Sequence, residues 1–350
     1  MRLAFRAPSV AAIALALVVT LSSCSSESKE SAAVEDPGGG PTSGRMIPGD
    51  CVETLDMSAS VAVAVGMAGI RLGNETGIFA KHCIEMSQNT VAAPPSAMAE
   101  VAGGSADVTY LPVNSMLITM SSGVNLRAVA PDHALDPAAT EDNIAKYSAF
   151  GIYLRKGETI STAADLAGRT VAVPGRATIA EMSTAAAVDA EGGDPAKIKW
   201  AVLDPPTMIQ QLEAGKIDAA VLPHPFSLQL DAKGYERAVS PEYYLFDAGA
   251  NDTLWVTTKK AYDAKPEAFA AFAAAMKEIN AYAMSHQDEL NQVISDETKT
   301  PLDLVEAGPT LFVNEDISLE RDIQPVADLL VKLGYLKSAP DTTGLVPELA

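Results

Sequence analysis

Two segments of the chain carry the same pattern of hydrophobic and polar positions. Residues 94–112 and 205–223 each begin with Pro-Pro, continue with apolar positions at helical spacing, and end in a short apolar run closed by Leu-Pro. The third residue of each copy suits a helix N-cap, and a later glycine suits a left-handed helix end: Ser96 and Thr207, Gly104 and Gly215. A unit that occurs twice predicts two similar lobes, because a solenoid needs at least three copies.

Short apolar runs alternate with helical patterns along most of the chain, which predicts an α/β fold with parallel strands. Strands are predicted at 60–66, after 77–86, and at 108–111, 126–130, 150–155, 170–173, 197–203, 219–222 and 253–257. Helices are predicted at 70–76, 161–166, 178–190, 226–233, 267–285, 301–306 and 319–333. In this plan the chain crosses from lobe one to lobe two near 148–153 and returns near 252–257.

The first residues are typical of a targeting signal and not of a folded domain. Arg2 and Arg6 form a basic start, residues 10–21 form an apolar run, and the Leu-Ser-Ser-Cys at 21–24 resembles the lipobox of bacterial lipoproteins. The resemblance implies cleavage before Cys24 and lipidation of its sulfur. An ordinary secretory signal with a coincidental cysteine is the alternative. We expect an extracytoplasmic protein held at the cell membrane by its lipid.

These patterns divide the chain into four regions. Residues 1–23 are the signal peptide, and residues 24–50, rich in Ser, Gly and Pro, form a flexible tether. Lobe one is expected to comprise 51–147 plus 253–350, and lobe two 148–252. The 350 residues, 48% of them hydrophobic, are enough for ample cores in both lobes.

Charge and cysteine content limit the function further. The formal net charge is −20, and removal of the two arginines of the signal makes it −22, which argues against binding of nucleic acid. Apart from Cys24, the chain contains Cys51 and Cys83. An extracytoplasmic location favours a disulfide between them, and two buried free thiols are the alternative.

Four motifs in order resemble those of a known family. They are Glu-Thr-Gly-Ile-Phe-Ala-Lys-His-Cys-Ile-Glu at 75–85, Gly-Gly-Ser-Ala-Asp at 103–107, Asp-Leu-Ala-Gly-Arg-Thr-Val-Ala-Val at 165–173, and Ala-Gly-Lys-Ile-Asp-Ala-Ala at 214–220. With the lipobox, they resemble the solute-binding lipoproteins of ABC importers in the nitrate/sulfonate/taurine and thiamin-precursor (NMT1-like) branch, over about residues 58–335. The resemblance implies the two-lobed type II periplasmic-binding-protein fold. The chain departs from the family at 66–71 and 222–226, where the ligand is expected.

The ligand should bind beyond the carboxyl ends of the strands, in a cleft between the lobes. Helix N-termini there would favour an anionic group. The candidate ligand-binding residues are Met67, Gly69, Ile70, Arg71, Pro95, Ser96, Tyr110, Pro112 and Asn114 from lobe one, and Arg176, Ala177, Thr178, Pro206, Thr207, His224 and Phe226 from lobe two.

Each candidate also has an ordinary structural interpretation. Arg176, in a Gly-containing turn at a helix start, is the preferred partner for an oxyanion, and a solvated surface arginine is the alternative. Arg71 is a second candidate that could instead face water. Tyr110 could stack on a ligand or pack in the core, and His224, between two prolines, could contact a ligand or serve the structure. The capping residues and the repeated aspartates, Asp107 and Asp218, are expected to serve the fold.

The sequence contains no recognisable catalytic motif. The four histidines show no zinc spacing, and neither a nucleophile elbow nor a phosphate-binding glycine loop is present. We therefore expect a monomeric binding protein that delivers a small-molecule ligand to an ABC permease. We expect neither enzymatic activity nor a metal or cofactor. A small organic anion ranks first as ligand and a neutral heterocycle second. A module feeding a sensor and a secreted enzyme remain alternatives.

Overall fold

The computed structural model describes residues 51, 53–62, 68–91, 94–309 and 311–348. Cys24, Met67, the predicted signal peptide and the predicted tether lie outside them. The described residues contain three sheets, two of which a single bridge joins into one larger sheet, and ten strands in all. They are β1 Leu55–Ala62, β2 Ile84–Val91, β3 Thr109–Pro112, β4 Leu126–Ala134, β5 Phe150–Leu154, β6 Thr170–Val173, β7 Lys199–Val202, β8 Ala219–Pro223, β9 Arg237–Val239 and β10 Asn251–Thr258.

Twelve α-helices lie in the same residues. They are α1 Ala68–Glu75, α2 Ile78–Lys81, α3 Pro94–Gly103, α4 Val113–Ser121, α5 Ile179–Ala190, α6 Pro205–Glu213, α7 Ser227–Asp231, α8 Lys259–Ala264, α9 Pro266–Ser285, α10 Gln287–Thr298, α11 Leu302–Glu306 and α12 Gln324–Lys332. None of the helices in the described part of the chain is long and apolar enough to cross a membrane.

The strand order explains why both sheets are mixed. The first runs β2-β1-β3-β10-β4, with a single bridge between Ala59 and Val108 joining β1 to β3, and the second runs β7-β6-β8-β5-β9. The pairs β1–β2, β6–β7 and β6–β8 are parallel as predicted, whereas β5 and β10 are antiparallel to their neighbours, so the sheets are mixed and not parallel throughout. Both strands follow a crossing between sheets. A chain that leaves one sheet at its carboxyl edge enters the other sheet at that sheet's carboxyl edge. The strand it then forms must run antiparallel to the strands that end at this edge.

The sequence repeat corresponds to a repeated structural unit. In the first copy, the Asp107 N–H donates to the Ser58 carbonyl at 2.9 Å and its carboxylate accepts from the Ser58 N–H at 2.9 Å. In the second copy, Asp218 makes the same two contacts with Thr170, at 2.9 and 2.7 Å. Each aspartate thus fixes the register of its strand against a parallel neighbour, as expected for residues that serve the fold.

The predicted helix ends are correct and the predicted caps are wrong. Gly104 and Gly215 have φ of 78° and 66°, the left-handed conformation that glycine adopts at least cost. The Asp204 carboxylate, however, caps α6 by accepting from the Thr207 N–H at 3.0 Å. Proline is well suited to a first helical turn, so both helices begin at the Pro-Pro pair and Ser96 and Thr207 lie inside that turn.

Each sheet is packed on both faces. On β10, the Trp255 side chain packs with α1, α2 and α9, whereas Leu254 and Val256 on the other face pack with α4 and α12. A disulfide joins Cys51 to Cys83, with their Cα atoms 5.6 Å apart, which confirms the predicted bridge. It ties the residues that precede β1 and β2, two parallel neighbours.

Candidate functional site

A cavity of about 570 Å³ lies where the carboxyl edges of the two sheets meet. The first sheet contributes Tyr110 and Pro112 at the end of β3, and Asp132 and His133 at the end of β4. The second sheet contributes the start of β5 and residues 223–226 after β8. The third wall comes from α10, α11 and the segment up to Leu311. Most of the lining is apolar.

An acidic cluster forms the polar part of the cavity. The His133 Nδ1 lies 2.8 Å from the Asp252 carboxylate, and Asp132 and Glu242 line the same space. Burial lowers the pKa of His133, but Asp252 and the other carboxylates outweigh it and raise the pKa to about 9. Burial, together with the nearby negative charge of Asp252, raises the pKa of Asp132 to about 8 and that of Glu242 to about 7. Near pH 7 the site therefore holds one ion pair, His133 with Asp252, and two buried acids that are at least partly protonated.

The carboxylates of the cluster differ in their hydrogen bonds. Glu242 Oε2 accepts from the Ser148 hydroxyl at 2.7 Å and from the Phe150 N–H at 3.3 Å. Asp132 is only 6% exposed, and its Oδ2 accepts no hydrogen bond from any described residue. The Trp255 indole is near enough to lower the pKa of Asp132 slightly, but its N–H does not meet the carboxylate in hydrogen-bonding geometry.

Aromatic side chains surround the acidic cluster. Tyr110 packs edge-on against Trp255, and its hydroxyl donates to the Ala62 carbonyl at 2.7 Å. Tyr147, Phe150 and Phe226 line other parts of the cavity. Large, stiff, mainly apolar side chains of this kind offer contact area at a low cost in conformational entropy.

Four predicted ligand residues line this cavity: Tyr110, Pro112, His224 and Phe226. The His224 ring is half-buried, its Nε2 has no hydrogen-bond partner among the described residues, and burial lowers its pKa. Asn114 is fully buried and does not line the cavity. Its amide donates to Met182 Sδ at 3.3 Å, which connects α4 to α5.

The predicted oxyanion site around Arg176 is occupied by a carboxylate of the chain itself. The Arg176 guanidinium donates to both oxygens of Glu181, at 2.8 and 2.7 Å. Glu181 is fully buried and also accepts from the Ala177 N–H at 2.6 Å and the Tyr335 hydroxyl at 2.9 Å. Thr178 caps α5 by accepting from the Glu181 N–H. Arg176 is therefore neutralised without any ligand.

The remaining candidates lie away from the cavity. Arg71 donates to Glu75, Asp296 and Glu297 at 2.7 to 3.2 Å, so carboxylates already neutralise it. Ile70 belongs to the core beneath it. The others are Gly69, beside Met276 of α9; Pro95, Ser96 and Pro206, which are exposed; and Thr207, whose hydroxyl donates to Asp204.

The sequence analysis missed the acidic cluster. Asp132 and His133 follow the apolar run at 126–130, which was the available signal, but the predicted strand ended before them. The structure extends β4 to Ala134 and places both residues at the carboxyl edge. Asp252 and Glu242 join them only through the return crossing. In the described residues, no group of His, Cys, Asp or Glu has the arrangement of a metal site.

A two-lobed α/β fold with a cavity at the shared carboxyl edges defines the type II periplasmic-binding-protein class. Within that class, the chain belongs to the NMT1/THI5-like family, whose sequence model matches residues 65–290. No curated protein matches the chain as a relative.

Solved structures share the fold at low sequence identity. The periplasmic aliphatic sulphonate binding protein SsuA from Escherichia coli is 16% identical, with a TM-score of 0.66, and the match covers 84% of this chain and 98% of that one. SsuA from Xanthomonas axonopodis pv. citri, bound to MOPS, is 15% identical with a TM-score of 0.64, covering 85% and 99%. The desulfurization enzyme DSZB is 12% identical with a TM-score of 0.60, covering 84% and 97%.

Proposed function

We propose that this chain is the extracytoplasmic solute-binding component of an ABC importer, anchored by a lipid at Cys24. A small molecule enters between lobe one (51–147 plus 253–350) and lobe two (148–252), and its contacts with both lobes favour a closed state. The observation that carries the proposal is the cavity between the carboxyl edges of the two sheets. Its volume lies in the range of small-molecule sites.

The chain path supports a hinge. The segments between β4 and β5 and between β9 and β10 connect the sheets. Both segments also contribute to the cavity, through Tyr147 in the first and Glu242 in the second. A ligand touching these residues therefore acts next to the segments whose backbone must rotate during closure. The closed, loaded form would dock on the permease as a monomer.

The sulphonate-binding proteins of Escherichia coli and Xanthomonas support a binding role for this fold. The desulfurization enzyme shows that the fold also accommodates catalysis. We propose binding without turnover, which is checked by recovering the bound compound chemically unchanged after prolonged incubation.

Native mass spectrometry of the soluble chain from residue 25 onward, after incubation with a small-molecule extract of cells and medium, tests the receptor role. We expect one small molecule bound per chain. Ala149 lines the cavity, so Ala149→Phe should prevent binding by filling it, whereas Ala102→Phe on the exposed face of α3 should not. The absence of any adduct, or equal adducts on wild type and Ala149→Phe, contradicts the proposal.

Transport by the importer is tested in cells. Deletion of the gene should abolish uptake of the compound identified by mass spectrometry, and the wild-type gene should restore it. Cys24→Ser should release the protein from the membrane fraction. Normal uptake in the deletion strain would remove the transport role and leave only binding.

A further inference from the structure

The charge of the cavity points to a ligand class different from the one ranked first by sequence. Three carboxylates line it, those of Asp132, Glu242 and Asp252, and in the described part of the chain no lysine or arginine does. The His133 imidazolium also lines it but is already paired with Asp252, so a sulfonate or carboxylate placed here would find no free cation among the described residues.

Arg176, the predicted partner of an anion, and Arg237 are already used by groups of the chain itself. Arg176 is held by Glu181, as described above. The Arg237 guanidinium lies behind β5 against Gly151 and donates to the carbonyls of Ala145 and Ser148 at 3.0 and 3.4 Å. The N-terminus of α5 is capped by Thr178. An anion would have to displace one of these arrangements before it found a partner.

Asp132 is the carboxylate that lacks a partner. The His133 imidazole faces Asp252, and the Ser148 hydroxyl and a backbone N–H satisfy Glu242. Asp132 is more than nine-tenths buried, lines the cavity, and has an oxygen without a hydrogen bond from any described residue. A buried carboxylate oxygen without a donor is costly, and a charged N–H donor from a ligand removes that cost.

The aromatic lining suits the same ligand. Tyr110, Tyr147, Phe150 and Phe226 surround the space next to the acids. A cationic nitrogen is attracted to the faces of such rings, and an apolar body packs against them. The cavity thus combines an acidic end with an aromatic, mainly apolar remainder.

We propose that the solute bears a protonated nitrogen on a largely apolar body, with the nitrogen donating to Asp132 and the body packed among the aromatic side chains. This inference rests on the proposed receptor function. It replaces the preference for an organic anion with a preference for an organic cation.

Calorimetric titration at pH 7 with three matched series tests the inference. Each series keeps one skeleton, butyl, phenylethyl or cyclohexylmethyl, and carries an ammonium, hydroxyl or carboxylate head. We expect the ammonium member to bind at least tenfold more tightly than its partners. Asp132→Asn should weaken ammonium binding at least tenfold, whereas Asp247→Asn, at an exposed acid outside the cavity, should not change it.

A second readout uses the unmodified protein in case Asp132→Asn does not fold. A cation favours the ionised carboxylates, so ammonium binding should release protons, measured as a dependence of the binding heat on the ionisation enthalpy of the buffer. Binding of a hydroxyl or carboxylate member as tight as that of the ammonium overturns the inference and leaves the receptor function standing. Failure of every ammonium compound to bind, or binding without proton release, also overturns it. Native mass spectrometry after incubation with the cell and medium extract tests the receptor function separately.

Discussion

The acidic cluster predicts that the unliganded protein loses stability as the pH rises from 7 to 8.5. The folded-state pKa is raised to about 8 for Asp132 and about 9 for His133, above their ordinary values of 3.8 and 6.5. In this window the folded protein therefore holds protons that the unfolded chain has already lost. Stability from such groups is present at low pH and is lost as the pH rises through the folded pKa.

The magnitude follows from the number of extra protons. One extra proton in the folded state gives a slope of about 1.4 kcal/mol per pH unit. Averaged over this window, Asp132 and His133 together hold about one proton more than in the unfolded chain, which gives a loss of about 2 kcal/mol over 1.5 pH units. Glu242, with a pKa of about 7, has the same sign but acts mainly below this window. The lowered pKa of His224 has the opposite sign and acts at still lower pH.

Urea unfolding followed by circular dichroism at pH 7.0, 7.5, 8.0 and 8.5, at constant ionic strength, measures the slope. Asp132→Asn removes one of the titrating groups and should flatten it, whereas Asp247→Asn should retain it. Stability that is constant or rises with pH in the wild-type protein would refute the reasoning. An equal slope in Asp132→Asn would assign the effect to other groups.

Three further predictions follow from the packing and the covalent structure. Arg176→Ala should lower the free energy of unfolding by about 1–3 kcal/mol, because buried Glu181 loses two charged donors, and it should leave ammonium binding unchanged; urea titration and calorimetry check both effects. Gly73→Ala should cost about 1–3 kcal/mol, since a Cβ there would lie 2.5 Å from the Phe79 ring, while Gly103→Ala, with open space around it, serves as the control in the same unfolding assay. Reduction of the disulfide, which closes a loop with a sequence separation of 32, should cost up to about 4 kcal/mol, measured by unfolding with and without reductant.

The repeated unit was the part of the fold most open to prediction. Its helix, glycine turn and short strand are each determined by neighbouring residues, and the two aspartates confirm that both copies fold alike. Strands β6 and β8 also lie where their apolar runs predict them. Strand β1 begins at Leu55, five residues before its prediction, because Asp56 and Ser58 interrupt the apolar pattern on the less buried face.

Other elements depend on contacts that the sequence does not reveal. Helix α4 follows β3 directly after Pro112, where no helix was predicted, and α10, also not predicted, is largely polar with only three buried residues. The antiparallel direction of β5 and β10 follows from the path between sheets. Local periodicity carries no information about strand direction, so the mixed sheets could not be distinguished from parallel ones.

The position of Glu181 decides between an anionic and a cationic ligand, and this position also depends on tertiary contacts that the sequence does not reveal. From sequence, Arg176 beside a helix start has the features of an anion site, and Glu181 is one turn further along as an ordinary helix residue. Folding buries Glu181 and turns its carboxylate back onto Arg176 and the Ala177 N–H. The chain thus supplies the anion that the site was expected to bind. Meanwhile residues more than 100 positions apart, Asp132 and Asp252, come together at the cavity. The sign of the charge in the cleft is therefore a property of the tertiary structure.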